Sequence, residues 1–341
     1  MRRTQWTGQK RTARAAMFTV FLLTVFCLAA ASANAVVVYN PAVNTMIDNV
    51  SQAQLQPAVN ELSGETPAFI LGAPYTILTR GSSSGVPIDM AEQYIYEHLL
   101  AYGLDSVAFG DYPGRGTVDA GRNVVGQIDG TTKSDEIVIV GAHLDDQPWG
   151  EPVAPGADDD ASGCSANLYL ARAFAGKQFE RTIRFVFFGS EENAPWTGVG
   201  STYGSGYYAA QARAAGENIV AMIEADALAY NGSNSGVINM VTRMVRKDPG
   251  GGDHAIVTTW QEVVTTYAIG DITPTLRESG VRLSDHGAFW KNGYPAVLFI
   301  HAGGNPNWHT VNDTVSTFTW PFYVQVTKSL VAVAAHEAGI Q

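Results

Sequence analysis

Residues 136–144 read EIVIVGAHL. A short unbroken apolar run, rich in β-branched residues, is a strand buried on both faces rather than a half-exposed strand with alternating polar positions. The same reading applies to NVVGQI (123–128), TIRFVFFG (182–189), NIVAMIEAD (218–226), GVINMVT (236–242) and PAVLFI (295–300). Helical apolar spacing lies at 46–62, 88–102 and 258–268, and in SANLYLARAFAG, residues 165–176. Strands alternating with helices predict an α/β sandwich with a largely parallel or mixed sheet. In such sheets ligands collect beyond the carboxyl ends of the strands.

Those ends carry metal-type side chains. EIVIVGAHL ends at His143, with Asp145 two residues on, and TIRFVFFG runs into Glu191 and Glu192. NIVAMIEAD ends at Asp226, and a loop after PAVLFI delivers His309 in NPNWHTVNDT. Between the first two strands lies PGADDDASG, with Asp158, Asp159 and Asp160 ahead of small residues that open a helix. Singly, each group reads as a helix cap, a solvated turn or a satisfied structural histidine. Together they crowd carboxylates that cannot be buried side by side unless cations neutralise them. Two imidazoles and three carboxylates suit zinc-like ions. Five protein ligands with one carboxylate shared is the count for two metals about 3.5–4 Å apart.

The whole chain has 341 residues, a net charge of −11, 46% hydrophobic and 16% charged residues. That apolar content excludes a disordered tail protein. Two cysteines exclude a disulfide scaffold or a Cys₄ zinc module, and the acidic balance without basic clusters argues against nucleic acid as a partner. Residues 1–35 are different in kind. Arg2, Arg3, Lys10, Arg11 and Arg14 precede the apolar stretch AAMFTVFLLTVFCLAA (15–30), which is followed by Ala33-Asn34-Ala35. This reads as a secretory signal peptide, short for a membrane span, leaving residues 36–341 as one exported domain that is secreted or periplasmic. The membrane is then a partner only transiently, during export. Removing the signal leaves 16 basic and 32 acidic residues, a charge of −16, with Cys164 as the one remaining thiol.

The strings GAHLDD, APGADDDASG, RTIRFVFFGSEEN, MIEADALAY, LSDHGAFWKNGYPAVLFI and NWHTVNDT, in this order, closely resemble the co-catalytic dinuclear zinc aminopeptidases, the exported bacterial leucyl-type enzymes and their relatives. The resemblance implies a three-layer α/β sandwich, a mixed sheet of about eight strands between helices, and two Zn²⁺ per chain. Carried over by residue, His143 and Asp226 bind one zinc, Glu192 and His309 the other, and Asp159 bridges them. It further implies a cis peptide bond between Asp159 and Asp160. Asp145 is expected to accept a hydrogen bond from the far nitrogen of His143, fixing its tautomer. Glu191 is the expected general base, moving a proton from the attacking water to the leaving amine. Surplus carboxylate charge then holds a free α-amine, so the substrates are peptide or protein N-termini, with an apolar first residue expected.

Departures from the family pattern are also visible. Trp308 stands where many relatives place a Tyr before the last histidine ligand, and Val281 stands where others supply one, which leaves the oxyanion donor unassigned. NAPWTGVGSTY (193–203) reads as an insertion at the rim of the site. Ser284-Asp285-His286 are consecutive and cannot converge as a triad; His254, His301 and His336 read as non-ligands, and Cys164 as packing. Two alternatives are a glutaminyl-cyclase-like acyltransferase, sharing the fold but using one zinc, and a binding ectodomain without catalysis.

Overall fold

The computed structural model describes residues 36–114, 119–147, 150–192, 203–280, 282 and 284–341. The expected signal peptide, the 193–202 part of the expected insertion, and Val281 lie outside the described residues. The first elements are α1 (Pro41–Asp48), α2 (Gln52–Leu62), a hairpin of β1 (Ala68–Ile70) and β2 (Ala73–Tyr75), and α3 (Val86–Tyr102). Then come β3 (Ser106–Tyr112), β4 (Gly121–Ile128), β5 (Lys133–His143), α4 (Gly163–Phe174) and β6 (Arg181–Phe188). Next are α5 (Tyr203–Ala215), β7 (Asn218–Ala225), β8 (Val237–Thr242), α6 (Gly252–Thr266) and β9 (Thr273–Glu278). The chain ends with α7 (His286–Lys291), β10 (Val297–His301) and α8 (Trp320–Glu337).

Eight strands form one mixed sheet in the order β3-β4-β6-β5-β7-β10-β8-β9. β6, β5, β7 and β10 run parallel side by side, while β4 and β8 pair antiparallel on either flank. Four of the six apolar runs read from sequence form the parallel block, and the other two, at 123–128 and 236–242, are its antiparallel flanks β4 and β8. Its two faces are both covered, which is why those runs do not alternate with polar residues. Val138, Val140 and Ala142 of β5 face the cluster built with α1, α2, α3, α4, α6 and α8. Ile137 and Ile139 face the opposite cluster, with Ala209 and Ala212 of α5 and Ala288, Phe289 and Trp290 of α7. Each fully buried large side chain, Phe185, Phe187 and Phe299 among them, contributes roughly 1.5–3 kcal/mol over its exposed state.

Three differences from the sequence reading have local causes. The helical pattern at 46–62 is two helices: Asn49 ends α1, and Ser51 is extended (φ −151°, ψ 160°) as the N-cap of α2. The start of α1 lies earlier, at Pro41, because the Asn40 side chain accepts from the Ala42 amide at 2.8 Å and proline tolerates the first turn. The edge strands β3 and β9 escape detection because neither carries an apolar run; β9 has no buried residue.

Candidate metal centre

Four parallel strands deliver the site from one end of the sheet. His143 is the last residue of β5, Asp226 follows β7, Glu191 and Glu192 follow β6, and the loop after β10 brings in His309. Asp159 comes from a tight turn (Ala157–Ser162) immediately before α4, with a cis peptide bond joining it to Asp160 as expected. Gly163 lets α4 begin against the end of β7: a Cβ there would lie 2.0 Å from the Ala225 carbonyl oxygen and 2.5 Å from both Asp160 carboxylate oxygens.

Asp159 stands between the two imidazoles. Its Oδ1 is 3.1 Å from His143 Nε2 and its Oδ2 is 3.1 Å from His309 Nε2. Asp226 Oδ1 lies 3.6 Å from His143 Nε2, and Glu192 Oε1 lies 3.1 Å from His309 Nε2. All five expected ligands therefore converge, with one carboxylate facing both histidines. His143, Glu191 and Glu192 also offer atoms that lie within 4.8 Å of one another. Asp160 approaches His143 and Asp226 as well, but its oxygens already accept from the amides of His143 (3.2 Å), Gly163 (2.8 Å) and Ala227 (3.2 Å). It orients the turn and leaves the shared position to Asp159.

Electrostatics match a cation site. Burial raises Glu192 to about 7, with repulsion from Asp159 adding to it. Burial also pushes Glu191 well above the usual carboxylate range, against the pull of His143 and helped by Glu192. Burial would lower His309, but hydrogen bonds with Asp159 and Glu192 outweigh it and hold the imidazole up at about 10. His143 is raised in the same way by Asp159 and Asp226, against its burial. Asp159, although buried, is held below its usual range by the two histidines. Nitrogen and oxygen donors of this kind, aimed at one another in a buried cluster, fit zinc.

Asp145 differs in detail from expectation. The His143 Nδ1 partner is the backbone carbonyl of Asp145 at 3.1 Å, and the nearer carboxylate oxygen is 3.9 Å away. The carbonyl fixes the tautomer equally well. The carboxylate is turned the other way, accepting from the amides of Glu191 (2.9 Å) and Glu192 (3.1 Å) and from Ser82 Oγ (2.6 Å). Ser190, with φ 59°, turns the chain after β6 so that both amides face it. Asp145 is thus a positioning residue for the Glu191–Glu192 turn.

Several supporting residues carry no local sequence signal. Asp313 accepts from the amides of Asp158 and Asp159, both at 3.1 Å, across more than 150 residues of chain. Asp158 in turn meets His301 Nε2 (3.1 Å), Asn305 Nδ2 (3.0 Å) and the Ala229 amide (2.7 Å), so His301 is a structural partner. Arg80 is fully buried and donates to the carbonyls of Leu62, Leu144, Pro155 and Gly156, tying down the loop that leads to Asp159. Glu224 is completely buried in β7, and that burial, with repulsion from Asp285, holds its carboxyl well above the usual range. Cys164 is buried and its thiol donates to the His143 carbonyl oxygen at 3.2 Å, a packing role.

Beside the cluster lies a cavity of about 240 Å³. Its other wall includes Val241, Leu298, Ile300 and Trp308, with Arg277, Ser279, Ser284 and His286. The Trp308 ring packs on His301 (centroids 5.2 Å apart), and its Nε1 is shielded from solvent with no partner among the described residues.

An α/β sandwich with a buried His–carboxylate constellation beyond its parallel strands defines a metal-binding α/β protein. The pattern of peptidase family M28 matches residues 123–334, and the chain belongs to that family. The chain is 31% identical over 194 residues to a probable leucine aminopeptidase of Arthroderma otae, covering 54% of this chain and 49% of the relative. It therefore spans about half the length of that relative. Among solved structures it resembles the LapA aminopeptidase of Legionella pneumophila, with a TM-score of 0.70, 17% identity, and coverage of 96% of this chain and 80% of the other. It also resembles the glutaminyl cyclase of Macrostomum lignano, with a TM-score of 0.73, 19% identity, and coverage of 90% and 96%. At these identities the two structures establish the shared fold. Among the described residues no helix is long and apolar enough to cross a membrane.

Proposed function

We propose that this protein is an aminopeptidase that holds two zinc ions and releases the N-terminal residue of peptides. The observation that carries the reading is Asp159, with one oxygen 3.1 Å from each histidine and a further carboxylate, Asp226 or Glu192, beside each imidazole. His143, Asp226 and Asp159 would hold one ion, and His309, Glu192 and Asp159 the other. Zinc in such a site supplies Lewis acidity toward a carbonyl and acidifies water. Glu191 is not needed as a ligand. Its carboxyl, on the turn anchored by the Asp145 carboxylate at the Glu191 amide (2.9 Å), would accept a proton from the attacking water and return it to the departing amine. Asp145 fixes where that carboxyl sits, and the acids of the cluster favour a substrate carrying an α-ammonium group. The composition of residues 1–35 supports export of the chain to a secreted or periplasmic location.

The test combines a metal titration with a substrate panel. Chelated protein should take up two zinc ions per chain and hydrolyse aminoacyl-p-nitroanilides but not their N-acetylated forms. Glu191→Gln should retain both ions while kcat falls by roughly 10²–10⁴. Full activity with one zinc, together with cyclisation of N-terminal glutamine, would assign the chain to the glutaminyl-cyclase reaction instead. Hydrolysis of blocked substrates would end the exopeptidase reading.

A further inference from the structure

The sheet register lays a row of side chains from the metal centre to the edge of the fold. Leu298 of β10 is paired with Glu224 of β7 on one side and with Val241 of β8 on the other. Val241 is paired with Arg277 of β9. Residues paired in register point to the same face, so Glu224, Leu298, Val241 and Arg277 form one continuous row. That face also carries Met222 of β7, two residues before Glu224 and four before Asp226. Leu298 and Val241 are buried, Arg277 is exposed, and the last three residues of the row line the cavity beside the metal ligands.

The cavity is therefore polarised along its length. At one end stand Asp159, Glu191, Glu192 and Asp226; the middle is the apolar wall of Val241, Leu298 and Ile300; the far end is Arg277, with Ser279 just past the end of β9. Nothing among the described residues neutralises that guanidinium. Its neighbour Glu278 is engaged by His254, whose Nε2 lies 3.2 Å from Glu278 Oε1. Three strand spacings separate Arg277 from Glu224, about 14 Å between backbones.

The geometry points to Arg277 as a specificity-determining residue that selects an acidic N-terminal residue, glutamate above aspartate. This rests on the aminopeptidase reading, which places the scissile carbonyl and the α-amine at the metal end. The first side chain of the substrate then projects along the row. A methylene stem lies against Leu298 and Val241, and a terminal carboxylate meets the guanidinium in a bidentate pair. Glutamate reaches one methylene further than aspartate. A leucine side chain would satisfy the wall and leave Arg277 unpaired, so the apolar preference expected from sequence gives way to an acidic one.

The zinc-loaded protein is assayed with Glu-, Asp-, Gln- and Leu-p-nitroanilides, and its binding of free L-glutamate, L-glutamine and L-leucine is measured by thermal shift. Glutamate should exceed glutamine at least tenfold in kcat/KM and in binding, with an advantage that shrinks as salt is raised. Arg277→Met should collapse the glutamate-to-glutamine ratio toward one, and Arg277→Glu should move the preference to Lys-p-nitroanilide. Unchanged melting temperature and zinc content of both variants would show that they are folded. A wild-type preference for leucine, or a glutamate-to-glutamine ratio untouched by Arg277→Met, overturns the inference; Arg277 would then only lay its stem over the apolar wall. Failure to hydrolyse any substrate overturns the peptidase reading instead, and the amino-acid binding ratios still decide the role of Arg277.

Discussion

Replacing Asp145 tests how the two glutamates are divided between their roles. Its carboxylate accepts three hydrogen bonds, from the Glu191 amide at 2.9 Å on Oδ1, and from the Glu192 amide at 3.1 Å and Ser82 Oγ at 2.6 Å on Oδ2. In Asp145→Asn one oxygen becomes an NH₂ group. With the remaining oxygen on the Oδ2 side, the new donor faces the Glu191 amide; with the amide flipped, it faces the Glu192 amide. Either orientation sets donor against donor at a shielded N–H, a cost of roughly 1–3 kcal/mol. Asp145→Ala removes all three bonds, strands both amides, and costs about twice as much. At roughly 2 °C per kcal/mol for a large domain, melting should drop by about 2–6 °C for Asn and more for Ala. Because the loss falls on the turn that aims Glu191 and Glu192, kcat should fall 10- to 100-fold and zinc affinity by a similar factor, with KM much less affected. The His143 tautomer should survive, since Nδ1 is held by the Asp145 backbone carbonyl; NMR of the imidazole nitrogens reads this directly. Wild-type zinc affinity and kcat in Asp145→Asn would refute the assignment. A shifted His143 tautomer would show that the carboxylate, not the carbonyl, orients the ring.

Other outcomes follow from burial and charge. Glu92 is buried on α3 beside Arg122 and pushed up to about 7, burial outweighing the guanidinium. A folded pKa above the unfolded 4.5 means the folded state holds the proton more tightly. Its stabilising contribution is present below pH 4.5 and lost as pH rises through 7. Urea unfolding of Glu92→Gln should therefore lack a decline on the order of 1–3 kcal/mol between pH 5 and 8 that the wild type shows; parallel curves would contradict this. Cys164, whose thiol is buried and pushed well above its usual range, should stay unlabelled by maleimide in the native protein and react only on unfolding, as read by peptide mass spectrometry. Zinc at 100 times its dissociation constant should stabilise the chelated protein by about 2.7 kcal/mol per site. His309→Ala should remove one site's share of the resulting rise in melting temperature, and the absence of any zinc-dependent shift would contradict the metal centre.

The parallel core of the sheet and the chemistry at its ends are written in local sequence. Runs such as IVIV in β5 and FVFF in β6 are local: a strand buried on both faces has to be apolar at consecutive positions, whatever its neighbours are. The donors His143, Glu191, Glu192 and Asp226 were legible for the same reason, each lying at the end of such a run. β3 and β9 were not, because an edge strand with exposed positions carries no such pattern. Which atoms face which depends on how distant segments fold together. The two oxygens of Asp159 point to one histidine at the end of β5 and another in the loop after β10. The Asp145 carboxylate turns from His143 to the Glu191–Glu192 amides, and Asp313 holds the bridging turn from more than 150 residues away. Arg277 joins the cavity solely through the pairing of β9 with β8. These contacts depend on register between distant segments. Such register is fixed when whole faces pack against α5 and α7 on one side and α4 and α8 on the other, and no window of local sequence contains it.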